Sequence, residues 1–271
     1  MEERDQKTRF KFGNNWRNFL NCLNDERIED SKRGLITMLG KTDLTGKRFL
    51  DAGSGSGLSS LVARKMGAEV FSFDYDEQSV ECTKYLKEKY FKDDLLWNVE
   101  QASVLDEDYM KSLGEFDIVY SWGVLHHTGN MNVALANVDA NVKKNGTLFI
   151  AIYNDQGNRS KIWHKIKSTY VKSPKFFKFF IVTFCYIKIW GKIFTYDLFF
   201  RGNMLHTWKL SKNNRGMSPH YDLIDWVGGF PFEVATPEFI FDFYRDRNYR
   251  LEKLKTNGKG YGCNEYIFTK L

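Results

Sequence analysis

From Lys47 onward the apolar positions switch between two periods. Short apolar runs at Arg48–Asp51, Glu69–Asp74, Trp97–Ala102, Phe116–Ser121 and Thr147–Tyr153 read as strands. Between them, Leu58–Met66, Glu77–Tyr90 and Val133–Lys143 carry helical spacing, with Gly67 closing the first and Asn145-Gly146 stopping the last. Five strands alternating with helices predict an α/β, doubly wound parallel sheet. Upstream, Ile28, Leu35, Ile36 and Leu39 recur at helical spacing, so residues 1–45 read as a helical cap ended by Gly40. Downstream, Pro237–Arg247 reads as a helix, and Tyr249–Thr256 and Cys263–Thr269 as the last two strands. The expected organisation is a cap over 1–45, a core over 46–155, an insertion over 156–236 and completing elements over 237–271.

Composition narrows the classes. The 271 residues are 42% hydrophobic and 27% charged, which excludes a disordered chain, a collagen-like repeat and a disulfide scaffold. Four cysteines form no CxxC pair. The start is charged and carries no apolar core, and no apolar run approaches bilayer-spanning length. A reduced, cytoplasmic protein is the expectation.

The net charge of +6 conceals an asymmetry. Residues 159–215 hold 13 Lys/Arg, one acid (Asp197) and 14 aromatics. After Ser173-Pro174, which read as N-cap and first helical residue, Lys175, Lys178, Lys188 and Lys192 fall within one sector of about 140°. A cationic stripe beside a broad apolar face suits a lid packed on the domain, its lysines in water. The lid is the favoured reading; a helix spanning 173–200 in peripheral contact with an anionic membrane is the second. Nucleic acid is the weaker reading, since no RNA-binding module is recognisable.

The chemistry concentrates at the carboxyl ends of the predicted strands, where open α/β sheets bind ligands. The first turn reads Asp51-Ala-Gly53-Ser54-Gly55-Ser-Gly57. Three alternate glycines permit a tight turn and close backbone approach to a ligand. Asp74 ends the second strand, 23 residues after Asp51, where a carboxylate can accept both hydroxyls of a ribose. An acid just ahead of the glycines repels a pyrophosphate and suits a ligand bearing an ammonium and a sulfonium.

Residues 47–155 resemble the class I S-adenosylmethionine-dependent methyltransferases, in particular the quinone-biosynthesis branch. Phe49–Gly57 matches the first motif of that family and Phe71–Asp76 the second. Val99–Asp106 matches its adenine-binding turn, with Ser103 where an Asp is frequent. Phe116–His127 matches the fourth-strand motif with its double histidine, and Lys144–Ile150 the turn into the fifth strand. The resemblance implies a Rossmann-like sheet closed by a C-terminal antiparallel hairpin, with a large helical insertion before the sixth strand. It implies S-adenosylmethionine as cofactor and S-adenosylhomocysteine as product. Asp51 and the Gly53 backbone would hold the methionine end, Asp74 the ribose, and Tyr75 would cover the adenine. Ser103 and Val104 would read the adenine edge, and the Ser121–Trp122 backbone would accept from the ammonium.

Methyl transfer to a hydroxyl needs a base. His126 and His127 follow the fourth strand. His220 with Asp222, in an apparent loop over Arg215–Glu233, is a second candidate pair; with Asp225 and Glu233 it carries acids enough for a cation, but the spacing is unspecific and no metal is expected. The polar turn Tyr153–Gly157 and the segment Gly260–Glu265 reach the same rim. Near the start, Phe12–Trp16 is placed to close over the cofactor or to pack in the core. The reaction expected is O- or C-methylation of a small or lipid-linked acceptor such as a phenol, quinol or sugar. The alternatives are methylation of RNA or protein, and cofactor binding without turnover.

Overall fold

A computed structural model describes residues 9–10, 12–211, 219–258, 260 and 262–271. Seven strands form one mixed sheet: β1 (Arg48–Ala52), β2 (Glu69–Asp74), β3 (Trp97–Gln101), β4 (Phe116–Trp122), β5 (Val142–Tyr153), β6 (Tyr249–Lys255) and β7 (Cys263–Lys270). Their spatial order is β3-β2-β1-β4-β5-β7-β6. The first five run parallel, and β7 pairs antiparallel with both β5 and β6, giving the expected closing hairpin. The chain leaves β1 toward β2 on one side and returns to β4 on the other. The switch point therefore lies beyond the carboxyl ends of β1 and β4.

Helices cover both faces. Helices α1 (Gly13–Leu20) and α2 (Asp25–Leu39) precede the sheet; α3 (Leu58–Lys65), α4 (Glu77–Tyr90), α5 (Glu107–Ser112) and α6 (Met131–Ala140) connect its strands. Local chemistry sets their ends. Asn24 caps α2 by accepting from the Arg27 N–H at 3.0 Å, and Gly40 closes it in the left-handed conformation. Asp76 caps α4, accepting from the Gln78 and Ser79 N–H groups. Two apolar layers result, one around Leu50, Val119, Leu148 and Phe268, the other around Phe49, Val70, Trp97 and Ile118. Adjacent residues of one strand, Phe49 and Leu50, serve opposite layers, as the pleat of a doubly covered sheet requires.

The insertion between β5 and β6 holds α7 (Asn158–Lys172), α8 (Lys175–Arg201), α9 (His206–Ser211) and α10 (Pro219–Gly228); α11 (Pro237–Arg245) follows. Three differences from the sequence reading stand out. The apparent loop over 215–233 contains α10, because Leu223, Trp226 and Val227 pack on Trp163 and Cys185 and override the weak local propensity. Pro174 itself is the residue ahead of α8, since Ser173 ends α7 by donating its N–H to the Tyr170 carbonyl. The third is α5, a short helix that the pattern left unmarked; the described part of the helical cap consists of α1 and α2.

Candidate active site

One large cleft of about 1830 Å³ opens at the switch point. Typical small-molecule pockets hold roughly 300–1,000 Å³, so this one has room for two ligands side by side. Asp51, Gly53, Ser54, Gly55, Asp74 and Tyr75 form one part of its wall; Ser103, Val104 and Trp122 also line it. The sequence-predicted cofactor residues are thus largely brought together.

The turn after β1 is shaped by contacts on its outside. Gly53 has φ +88°, and a Cβ there would stand 2.4 Å from a Val124 methyl; Gly53 and Ser54 both donate their N–H to the Phe73 carbonyl. This pins the turn to β2 and β4 and leaves its inner edge for a ligand. Gly55 donates its N–H to Asp74 Oδ2 at 2.9 Å, and Asp76 donates to Oδ1 at 2.9 Å. Asp74 therefore fixes the turn as well as facing the cleft. Gly57 lies away from the cleft. Its Cβ direction meets the Thr83 backbone at 2.8 Å, so its role is close α3–α4 packing at φ +79°. Ser121 does not line the cleft; its side chain is buried and donates to the Ala52 carbonyl at 2.7 Å, tying β4 to β1.

The donor set fits a cationic nucleoside. Asp51 is 1% exposed and accepts from Ser60 Oγ at 2.5 Å, with no Lys, Arg or His within ion-pair reach among the described residues. Burial pushes its carboxyl up to about 7; the Ser60 hydrogen bond opposes that and the nearby Asp74 charge adds to it. Burial likewise raises Asp74 to about 6, against the two backbone N–H groups that favour its charge. A buried acid without a counter-cation is what an ammonium and sulfonium would complete.

A pH dependence follows. Because both values are raised, the folded apo chain holds these protons more tightly than the unfolded chain does. Their ionisation costs the fold nothing below the ordinary carboxylate range; the cost grows as pH rises from that range and levels off above about 6 and 7. A cationic ligand reverses the preference. Affinity for S-adenosylmethionine should therefore rise from pH 5 to pH 8, with proton release near pH 6. Calorimetry in two buffers of different ionisation enthalpy reads the release; a pH-independent affinity would remove Asp51 from the site.

The double histidine divides. His126 and His127 share a short 3-10 turn (Leu125–His127), so consecutive side chains diverge. His126 is fully buried, outside the cleft lining, and its Nδ1 accepts from the Tyr153 N–H at 3.4 Å. Burial drives its basicity far down. It is a core residue, which corrects its candidacy as a base. His127 lines the cleft. Its Nδ1 lies 2.6 Å from the Pro231 carbonyl, which can only accept, so Nδ1 carries the proton and Nε2 the lone pair. The ring packs on Phe12 at 5.0 Å and edge-on to Tyr153 at 5.3 Å. Burial, then the Lys167 charge, lowers it to about 3; the Pro231 hydrogen bond pulls the other way.

The second pair does not form in the cleft. His220 is exposed on α10, outside the cleft lining, and its Nδ1 meets the Tyr186 hydroxyl on α8. The Asp222 side chain lies outside the described residues. Glu233 accepts from the Met131 N–H at 3.1 Å and so caps α6, whereas Asp225 does line the cleft. Among the described residues no group of three or more His, Cys, Asp or Glu could hold a metal. Of the Tyr153–Gly157 turn, Tyr153 faces the cleft, while Asn154 donates to the Gly258 carbonyl at 2.8 Å and Gln156 to that of Gly260.

Sequence reading missed Arg9. Its guanidinium stands 4.9 Å over the Tyr75 ring, donates to the Thr128 carbonyl at 2.5 Å, and lines the cleft. Phe10 donates its N–H to the Phe230 carbonyl at 2.9 Å, tying this entry strap to the insertion. A lone Arg near a chain start carries no spacing signal. Phe12 and Trp16 also line the cleft, so the aromatics of that segment serve its wall.

A family model described as a methyltransferase domain matches residues 24–222, most of the chain. The chain belongs to that family. The methyltransferase is 25% identical over 178 residues to a ubiquinone biosynthesis O-methyltransferase of Pelagibacter ubique (strain HTCC1062), covering 65% of this chain and 60% of that protein. It is 29% identical over 119 residues to one of the same name from Brucella ovis (strain ATCC 25840 / 63/290 / NCTC 10512), covering 41% of this chain and 43% of that protein. The matches thus span 60% or less of these relatives. Its fold is similar to magnesium protoporphyrin IX methyltransferase from Synechocystis PCC 6803, with TM-score 0.53 and 12% identity over 91% of this chain and 84% of that one. It is similar too to PKMT2 from Rickettsia typhi, with TM-score 0.53 and 13% identity over 82% and 48%. At such identities the likeness is one of fold.

Proposed function

We propose that this methyltransferase moves the methyl group of S-adenosylmethionine to a hydroxyl of a phenol or quinol, small or lipid-linked. The observation that carries the reading is His127: a cleft-lining ring whose Nδ1 is committed to the Pro231 carbonyl, leaving an Nε2 lone pair to take a hydroxyl proton. Partial similarity to proteins named as ubiquinone biosynthesis O-methyltransferases points the same way.

When bound, the cofactor supplies an activated methyl; the protein supplies alignment, water exclusion and a proton acceptor. Asp74 accepts from the ribose hydroxyls, Asp51 and the Gly53 backbone hold the methionine end, and Tyr75 covers the adenine. Ser103 and Val104 border the adenine edge. The acceptor side of the cleft is aromatic: Tyr153 packs on Trp226 at 5.1 Å and on Phe232 at 5.5 Å, beside Phe12. Flat apolar walls with one base suit an aromatic alcohol better than a sugar.

Incubation with methyl-labelled S-adenosylmethionine and a cell extract tests the reading. Label is expected in the organic-soluble fraction, and label that nuclease or protease releases would overturn it.

A further inference from the structure

We propose that α8 docks the protein on the surface of an anionic phospholipid bilayer. Ile181, Val182, Cys185 and Ile189 face the insertion core around Trp163, Leu223 and Val227. The opposite side is apolar as well. At about 100° per residue, Phe176, Phe179, Phe180, Phe184 and Ile187 fall in one sector some 140° wide. Each is more than half exposed, and the Phe176 and Phe180 rings touch at 4.9 Å. Exposed apolar residues scattered singly need no explanation, whereas a contiguous row of this kind marks an interaction surface. Besides the lysines expected in water, α8 turns these aromatics outward.

Charge chooses the occupant. Lys161, Lys165 and Lys172 on α7 and Lys175, Lys188 and Lys192 on α8 are exposed on the same helical hairpin. The only acid in residues 159–215, Asp197, presents no charge outward. It is fully buried, paired with Arg201 at 3.1 Å, and accepts from the Thr207 N–H at 2.6 Å. Lys175 and Lys188 flank the phenylalanine sector on its two edges, so a second copy seated on the row would bring like charges together along both edges. An anionic lipid surface supplies the missing charge and a place for the phenylalanines. Among the described residues no helix is long and apolar enough to cross a membrane, so α8 would lie in the interfacial plane.

The same helix reaches the cleft, which Ile189 and Trp190 line. The docking face thus adjoins the acceptor side, extending the proposed reaction by naming where a lipid-linked acceptor is met. Its test needs no turnover and so stands apart from that reading.

The experiment is flotation of the full chain with phosphatidylcholine vesicles, with and without phosphatidylglycerol, at low and high salt. Binding is expected on phosphatidylglycerol vesicles at low salt, about 10-fold weaker at high salt or on neutral vesicles. The triple variant Phe176→Ser, Phe180→Ser, Phe184→Ser should lose about 10-fold or more, keeping wild-type circular dichroism and S-adenosylmethionine affinity. The pair Lys188→Glu, Lys192→Glu should lose the salt-sensitive part. Absence of binding to anionic vesicles, or equal binding by the triple variant, would overturn the proposal. So would binding to an RNA oligonucleotide, or a dimer that the triple variant abolishes, without vesicle binding.

Discussion

Replacing Asp74 with alanine lowers S-adenosylmethionine affinity by about 100- to 1,000-fold, the largest effect expected on binding. Hydrogen bonds to a charged group contribute about 1.5–3 kcal/mol each, and a carboxylate at the end of β2 accepts from two ribose hydroxyls. Asp74 also accepts the Gly55 and Asp76 N–H groups at 2.9 Å each, so alanine loosens the glycine turn that carries the rest of the site. The two contributions separate in Asp74→Asn. An amide oxygen still accepts one backbone N–H but cannot serve both and two hydroxyls besides, so affinity should fall about 10-fold or more while thermal stability stays close to wild type. Calorimetric affinities for both variants, alongside their melting curves, give the answer. Undiminished binding by Asp74→Ala would remove the ribose assignment.

For turnover, the largest effect belongs to His127. With the true acceptor, His127→Ala should cut kcat by about 100- to 10,000-fold, the usual range for a positioned base, leaving cofactor affinity nearly unchanged. The pH profile reports the cofactor-side acids rather than this ring, so the test of the base is the loss of kcat at unchanged cofactor affinity. His127 is held at about 3 by burial and the Lys167 charge, so it stays unprotonated at every working pH. Loss of activity toward acid should therefore follow Asp51 and Asp74, near 6 to 7, and vanish when the cofactor is saturating. His220→Ala, on the exposed face of α10, should retain full turnover. His126→Ala should instead lower the melting temperature, because it empties a fully buried site against Tyr153, 3.9 Å away. Full activity in His127→Ala would refute the base.

The parts of the site that were legible in the sequence are those made by one strand end and the turn after it. Asp51 lies at the end of β1 with the glycines after it, Asp74 ends β2, and Ser103 follows β3; strand periodicity puts each of these at the carboxyl edge, and a parallel sheet aligns those edges. The β-hairpin at the end of the sheet was read to within a residue or two, because Tyr249 and Cys263 begin runs of β-forming residues.

What local pattern could not decide was anything set by contact between distant segments. Two adjacent histidines are equivalent as letters. Only the packing of the Phe230–Phe232 segment over the β4 turn, with the Pro231 carbonyl at His127 Nδ1, separates a cleft-facing ring from a buried one. Arg9 entered the site through the Tyr75 ring and the Thr128 carbonyl, partners 66 and 119 positions away. Gly57, identical in kind to Gly53, turned out to serve Thr83 of a neighbouring helix. On α8 both sides are apolar, so periodicity could not say which would be covered. Residue type and spacing determine conformations within one element, through sterics and burial of one face. Which side chains share a cavity depends on the relative placement of elements, a global free-energy minimum that no short window of sequence contains.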